Sequence, residues 1–306
     1  MKITAGLGHV EDYPSFVKAG ADEVFCGYVP DSWILRFGQA PVNRREVRYA
    51  HVQIGERNEL MILRSQMALY HAPVCLTFNA LSYTPEQYPA VLDIMESCVD
   101  MGFSSFIVAD PALVWYLQDH HFQGKVHLSG DFGEMNPRAL KLFQTEQVSR
   151  IIFHRHLTVT EMQMCINSLP GGLEFEAFAL NERCEFHGGF CASLHTDDMP
   201  PLCRMPYRLG GIHDARTVEL DSPFFAPETA GGTGCGLCAV WDLKHIGVTH
   251  LKLVGRGNFR DLMLRDLALL KQARDLAEVC QEKEAYVEAV RSSLLMGQCS
   301  DNCYYR

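Results

Sequence analysis

Residues 104–128 read SSFIVADPALVWYLQDHHFQGKVHL. A short apolar run rich in strand formers, Ser104–Val108, stops at Asp110-Pro111, and a second run follows at Lys125–Leu128. Aspartate directly before proline marks a helix start. Its carboxylate accepts from the first unpaired backbone amides, and proline lacks the amide that would go unused there. Strand, helix and strand in so short a span make a βα unit, which lays the two strands parallel. The same alternation recurs on both sides, with strands expected at Lys2–Ala5, Glu23–Cys26, Pro73–Phe78, Arg150–Phe153, Gly172–Ala179 and His250–Val254. Thr84-Pro-Glu-Gln87 predicts a capping box leading a helix that ends near Gly102; Asn136-Pro137 and Thr158-Val-Thr-Glu161 open two more. Eight strands with intervening helices fit a closed (β/α)8 TIM-like barrel better than an open sheet, so an α/β fold in one domain, 1–306, is expected.

Two segments break the rhythm. Residues 29–55 form a long connection after the second strand, and residues 180–240 a longer one between the seventh and eighth. Loops of this length inside a compact domain are usually functional or disordered. The second contains five cysteines, which favours function and marks it as a metal-binding insertion. Asn258 to Met296 reads as helix rich in Leu, Ala, Glu and Lys, followed by a short tail, 297–306.

Composition narrows the field. The 306 residues are 47% hydrophobic, ample for a core, and carry a formal charge of −10. That balance gives no generic attraction to nucleic acid, whose phosphates need lysines and arginines. Arg44, Arg45 and Arg48 read as a solvated surface run. No 18-residue apolar run exists, and Met1 to Val10 lack a sustained apolar stretch, so neither a membrane span nor a secretory signal is expected and the chain is placed in the cytoplasm.

Twelve cysteines are many for such a chain, and a cytoplasmic setting argues against disulfides. Cys26, Cys75, Cys98, Cys165 and Cys280 sit in apolar stretches as small hydrophobes. The other seven fall in polar, Gly-rich sequence. In the long insertion they are Cys184, Cys191, Cys203, Cys235 and Cys238, flanked by Gly188, Gly189, Gly234 and Gly236. An iron–sulfur cluster needs about four thiolates, and glycines let backbone amides approach its sulfurs. The insertion leaves the carboxyl end of the seventh strand, where barrel enzymes place their chemistry. Zinc is the rival, since Cys235-x-x-Cys238 is half of a structural zinc site, yet Cys184 and Cys191 are spaced too widely for the second half. Cys299-x-x-x-Cys303 stands apart as extra ligands or a second metal site.

An ordered series of motifs resembles the U-32 peptidase family over essentially the whole length. It comprises Leu76-Thr-Phe-Asn79, Phe106-Ile-Val-Ala-Asp110-Pro111, Val126-His-Leu-Ser129 through Asn136, Arg150-Ile-Ile-Phe-His-Arg155-His-Leu and Leu251-Lys-Leu-Val-Gly-Arg256. Glu176-Ala-Phe178, Cys184 and Gly189-Phe-Cys191 carry that family's spacings. Departures are Asn181-Glu-Arg before Cys184, and His156 and Val254 where the family has glutamates. The resemblance implies a [4Fe–4S] cluster held by Cys184, Cys191, Cys203 and one of Cys235 and Cys238. It also implies an oxygen-independent hydroxylase, or an accessory protein of one, acting on ribosomal RNA, tRNA or a ubiquinone precursor. Short single-barrel members resemble the quinone-pathway type, so a small organic substrate is expected, with a homologous partner subunit possible and nucleic acid less favoured.

Strand ends aim Asn79, Asp110, His127, Ser129, Arg155, His156, Glu182 and Arg256 toward the expected pocket. Arg155 and Arg256 could clamp a carboxylic acid used as oxygen donor, and His127 and His156 could move protons. Asp110 reads as a helix cap first. No Gly-x-Ser-x-Gly elbow or His-Glu-x-x-His helix is present, and an iron-bound cysteine cannot attack a peptide, so proteolysis is the poorer reading. The expected function is an iron–sulfur redox or hydroxylation enzyme, or a subunit of one. The alternatives are a non-catalytic cluster carrier, an RNA-base hydroxylase and a metal-independent peptidase.

Overall fold

A computed structural model describes residues 1–44, 52–133, 135–184, 189, 191, 193, 207–210, 217–220 and 230–305. Eight parallel strands close on themselves: β1 (Lys2–Gly6), β2 (Glu23–Tyr28), β4 (Val74–Phe78), β5 (Ser105–Val108), β6 (Lys125–Leu128), β7 (Val148–Ile152), β8 (Glu174–Leu180) and β11 (His250–Leu253). Closure runs through β1, which pairs with β11 on one side and β2 on the other. The expected barrel is therefore the observed one. A two-residue strand, β3 (Gln53–Ile54), adds to β2, and β9 (Tyr207–Gly210) pairs antiparallel with β10 (Thr217–Leu220) inside the insertion.

The helices wrap outside as the start signals require. Asp110 accepts from the Ala112 amide at 2.9 Å and caps α5 (Pro111–Asp119). Asn136 accepts from the Arg138 and Ala139 amides to cap α6 (Pro137–Leu142), and Thr158 with Glu161 forms the full capping box of α7 (Val159–Ser168). Thr84 donates its amide to the Gln87 side chain as expected, but Pro85 and Glu86 form a turn and α4 starts at Gln87 (Gln87–Asp100). The long helix expected after the last strand breaks at Cys280–Glu282 into α9 (Arg260–Val279) and α10 (Lys283–Ala289).

Outward-facing strand residues such as Ile3, Leu76, Phe106, Leu128 and Leu251 pack under the helices in the main core. Each fully buried side chain of that size contributes about 1.5–3 kcal/mol. Inward-facing residues form layers, as period-two alternation in a closed barrel demands. The layer nearest the amino ends of the strands is ionic. Arg150 donates to Glu23 at 2.6 Å, Glu176 at 2.8 Å and Glu174 at 2.8 Å, and His250 Nε2 accepts from it at 3.0 Å. Lys252 completes the set with a 2.6 Å bond to Glu176. Above lies an apolar layer of Phe25, Cys75, Ile107, Ile152, Phe178 and Val254.

Candidate functional site at the barrel mouth

The carboxyl ends of the strands open onto a polar rim. Arg155 follows β7 and places its guanidinium carbon over the ring of Phe178 of β8, 3.8 Å from the centroid, a cation–π contact. Its Nε is buried with no hydrogen-bond partner. Burial works against the charge, yet the acidic groups facing it, Cys184 first and then Tyr304, Asp131 and Glu182, raise the Arg155 pKa above its ordinary value. The guanidinium, charged as arginine always is in proteins, thus has one donor, Nε–H, that the fold leaves unused.

Across the rim, Arg44 donates to the Cys191 carbonyl at 3.0 Å and sits 3.9 Å from Asp131. Asn79 bonds both, accepting from the Arg44 amide at 3.4 Å and donating to Asp131 at 3.5 Å. Ser129 accepts from the Asp131 amide at 3.1 Å. Gly189 lies so close to Gly133 that a Cβ would come within 2.4 Å of the Gly133 Cα, which is why the cysteine-bearing loop carries glycine there. The reading of Arg44 as solvated is corrected: its guanidinium is held by a partner far away in sequence, which a local charge pattern cannot reveal. Arg45 and Arg48 lie outside the described residues.

The backbone leading into Cys184 is strained. Asn181 and Glu182 have φ of 70° and 52°, the left-handed region that non-glycine residues rarely occupy. Asn181 is held there by bonds to Asp266 at 2.8 Å and to the Val254 carbonyl at 3.4 Å. Such strain concentrates where a loop must be aimed.

Arg256, just beyond β11, is buried at the carboxyl ends of β2 and β4, one step above the apolar layer: it donates to Thr77 at 3.2 Å, and a Cβ on Gly27 would meet its Nη1 at 2.6 Å. Other expected pocket residues go elsewhere. His127 lies inside the barrel 3.5 Å from the Cys75 sulfur. Burial and then the charge of Arg150 lower its pKa well below the ordinary value, so it is neutral and below the rim. His156 is exposed, and its amide donates to His154. Asp110 caps α5 and also accepts from the Tyr88 hydroxyl at 2.7 Å, away from the rim.

Of the expected thiolates, Cys184 faces Arg155 and Cys191 is tied to Arg44. Cys203, His187 and Gly188 lie outside the described residues. Cys235 and Cys238 fall in a different neighbourhood, with Cys299 and Cys303. Among the described residues, no three His, Cys, Asp or Glu side chains surround a common ion position. Two rim residues escaped the sequence reading. Asp131 stands just beyond β6 and had a positional signal; Tyr304 had none. Tyr304 joins the apolar layer of the barrel and donates to the Asn181 carbonyl, while Tyr305 donates to the Phe178 carbonyl at 2.7 Å.

Comparison with known proteins agrees with this architecture. The model of peptidase family U32 matches residues 8–303. A tRNA hydroxylation protein P of Escherichia coli (strain K12) is 28% identical over 172 residues, covering 56% of this chain and 34% of that protein. A tRNA hydroxylation protein P1 of Bacillus subtilis (strain 168) is 22% identical over 264 residues, covering 83% and 58%. The matched region thus spans about a third of the first relative's length and under two thirds of the second's. Among solved structures, a rubisco-like protein from Burkholderia fungorum superposes with a TM-score of 0.50 at 12% identity, over 94% of this chain and 63% of that one. The U32 peptidase Mk0906 superposes with a TM-score of 0.47 at 13% identity, over 62% and 73%. No helix among the described residues is long and apolar enough to cross a membrane.

Proposed function

The chain belongs to peptidase family U32, and from that premise and the geometry of the mouth we propose that it is a hydroxylation enzyme, or the barrel subunit of one, acting on an RNA base. The carrying observation is the Arg155–Phe178 stack beside Cys184, with a buried donor unfilled. A planar base fits over such a platform, since every base offers a π-face to an aromatic ring or guanidinium. That both curated relatives are tRNA hydroxylation proteins supports RNA over the small organic substrate expected from sequence. The charge of −10 favours a second reading, a small acid bound by Arg155, because it leaves little basic surface for tRNA.

The cysteine set fits a [4Fe–4S] cluster better than zinc at the mouth. Cys184, Cys191 and Cys203 would hold it, with the fourth ligand contested between Cys235 and Cys238. When bound, the cluster supplies electron transfer or activation of an oxygen donor. The chain's own residues do the rest. Arg155 fixes a planar or anionic group against Phe178. Asp131, held by Arg44 and Asn79, presents a carboxylate to the same space. Tyr304 closes the floor toward the apolar layer and excludes water.

The test is nucleoside mass spectrometry of tRNA from cells with and without the gene, complemented by wild type or Arg155→Ala. A hydroxylated nucleoside that disappears with the gene and returns only with wild type is expected. An unchanged nucleoside profile would overturn the RNA reading, and loss of a hydroxylated small metabolite instead would establish the second.

A further inference from the structure

The upper layer of the barrel is completed by a residue from outside it. Inward parity continues from Phe25, Cys75, Ile107 and His127 to Gly27, Thr77, Ala109 and Ser129, four small buried residues. A (β/α)8 interior is usually filled by bulky branched side chains from its own strands. At this level the bulk comes instead from Arg155, Arg256 and Tyr304, and Tyr304 arrives from the tail.

The tail is fitted to that position. Met296 and Gly297, with φ of 48° and 74°, reverse the chain after the helical turn Val290–Leu294. Ser300 donates to the Gly231 carbonyl at 2.9 Å; Asn302 donates to the Gly232 carbonyl at 3.2 Å and accepts from Arg183 at 3.0 Å. The Cys235 amide donates to the Asn302 carbonyl at 2.9 Å, and the Tyr304 amide to the Cys235 carbonyl at 2.8 Å. Cys235 is thereby bridged to Cys303 on one side and to Leu180, the last residue of β8, on the other. Two glycines make room for the rings. A Cβ on Gly234 would come within 2.9 Å of the Tyr304 ring, and one on Gly236 within 3.2 Å of Tyr304 and 3.1 Å of Tyr305.

Phe178 is the ring that Arg155 and Tyr304 share. The Arg155 guanidinium carbon lies 3.8 Å from its centroid, and the Tyr304 ring centroid 6.5 Å away at a tilt of 58°. A group lying against Arg155 therefore meets Tyr304 as the next aromatic surface. The Tyr304 hydroxyl proton is already given to the Asn181 carbonyl, so the residue discriminates by shape rather than by donating a hydrogen bond. A ring with two rotatable bonds, buried and bonded at its tip, makes a fixed surface.

Building on the hydroxylation reading above, we propose that Tyr304 is a specificity-determining residue of the mouth. The tail sets its ring beside Arg155 as a rigid floor, and that floor fixes how deep a planar substrate group enters. Below it is only the apolar layer, so a smaller side chain at 304 lets the group sink and lose register with Arg155.

The test compares full-length wild type, Tyr304→Ala, Tyr304→Leu and Tyr304→Phe by two readouts. Phenylglyoxal, which modifies accessible guanidinium groups, is applied to the folded protein, and modified arginines are located by peptide mass spectrometry. Arg155 should react at least about tenfold faster in Tyr304→Ala and Tyr304→Leu than in wild type, and within about twofold of wild type in Tyr304→Phe, as a local loss of protection requires. Exposed Arg260 and saturated Arg150 serve as internal references. In cells lacking the gene, the hydroxylated nucleoside that wild type restores should fall at least about tenfold with alanine or leucine at 304 and be rescued by phenylalanine, the effect of moving a bound group off its partner. Leucine keeps the apolar layer filled and so reports even where the alanine variant fails to fold. Arg155 equally reactive in wild type and Tyr304→Leu, full product from Tyr304→Leu, or no rescue by Tyr304→Phe would each overturn the assignment. Should no nucleoside depend on the gene, the RNA reading falls alone, and the reagent decides this one: protection of Arg155 lost in Tyr304→Leu upholds it, and protection unchanged ends it.

Discussion

Two arginines five residues apart occupy opposite ends of the same barrel. Arg150 sits in the lower layer with every donor group bonded to Glu23, Glu174, Glu176 or His250. Arg155 sits at the mouth on Phe178 with its Nε unfilled. The first is saturated by its own fold, so nothing is left for a ligand; the second is held in place by stacking and keeps a donor in reserve. Barrel enzymes divide stability and chemistry between the two ends in this way, and here the division can be seen in one residue type.

The largest effect should come from the saturated end. Arg150→Met leaves three carboxylates without their shared cation and should cost about 3–5 kcal/mol, because an unpaired buried charge is worse than none. Urea unfolding measures it; a loss under about 1 kcal/mol would break the contrast. At the other end, Arg155→Lys keeps the charge but loses the planar fork and the stack. Hydroxylated product per chain should fall roughly 10²-fold while the urea midpoint barely moves, as expected when a positioned donor is removed from a reacting group. Equal losses of stability and activity would show that Arg155 is as structural as Arg150.

Acidity should separate the ends again. His250 is brought down to about 4 by burial and Arg150, and His127 lies well below its ordinary 6.5. The unfolded chain therefore takes up protons that the folded barrel refuses. Stability is complete above 6.5 and is lost as pH falls through the window toward 4. Glu176, held at about 2 by Lys252 and Arg150 against the cost of burial, extends the loss below 4.5. Urea midpoints across that range should decline in wild type and decline less in His250→Gln, which still accepts from Arg150. The smallest effect belongs to Tyr304→Phe, which removes one buried hydroxyl bond to Asn181 and should cost about 0.5–1.5 kcal/mol. Calorimetry reads it, and a null result would mean the aromatic ring alone holds the segment.

What the sequence disclosed follows from the range of each interaction. All eight barrel strands were legible because strand formation and helix capping are local, and Asp110, Asn136 and Thr158 bond amides two or three residues away. Cys184, Arg155, Asn79 and Ser129 were legible as rim residues because a parallel strand fixes where its carboxyl end lies. His127 has the right parity to face inward, but depth along the strand puts it below the rim. Arg44 on Cys191, Tyr304 under Asn181 and Cys303 beside Cys235 join residues far apart in the chain, and no pattern within one segment could have shown them.

The seam of the barrel has a consequence for biosynthesis. Lys2 is paired with His250, and Thr4 with Lys252. At ribosomal rates of about 5–20 residues per second, β1 waits roughly 12–50 s for that neighbour to be made. Throughout that interval one edge of the nascent sheet has open amides and carbonyls, and Glu23 and Arg150 meet without the lysine that completes their layer. Newborn chains should therefore depend on holding chaperones during translation far more than finished ones do during refolding.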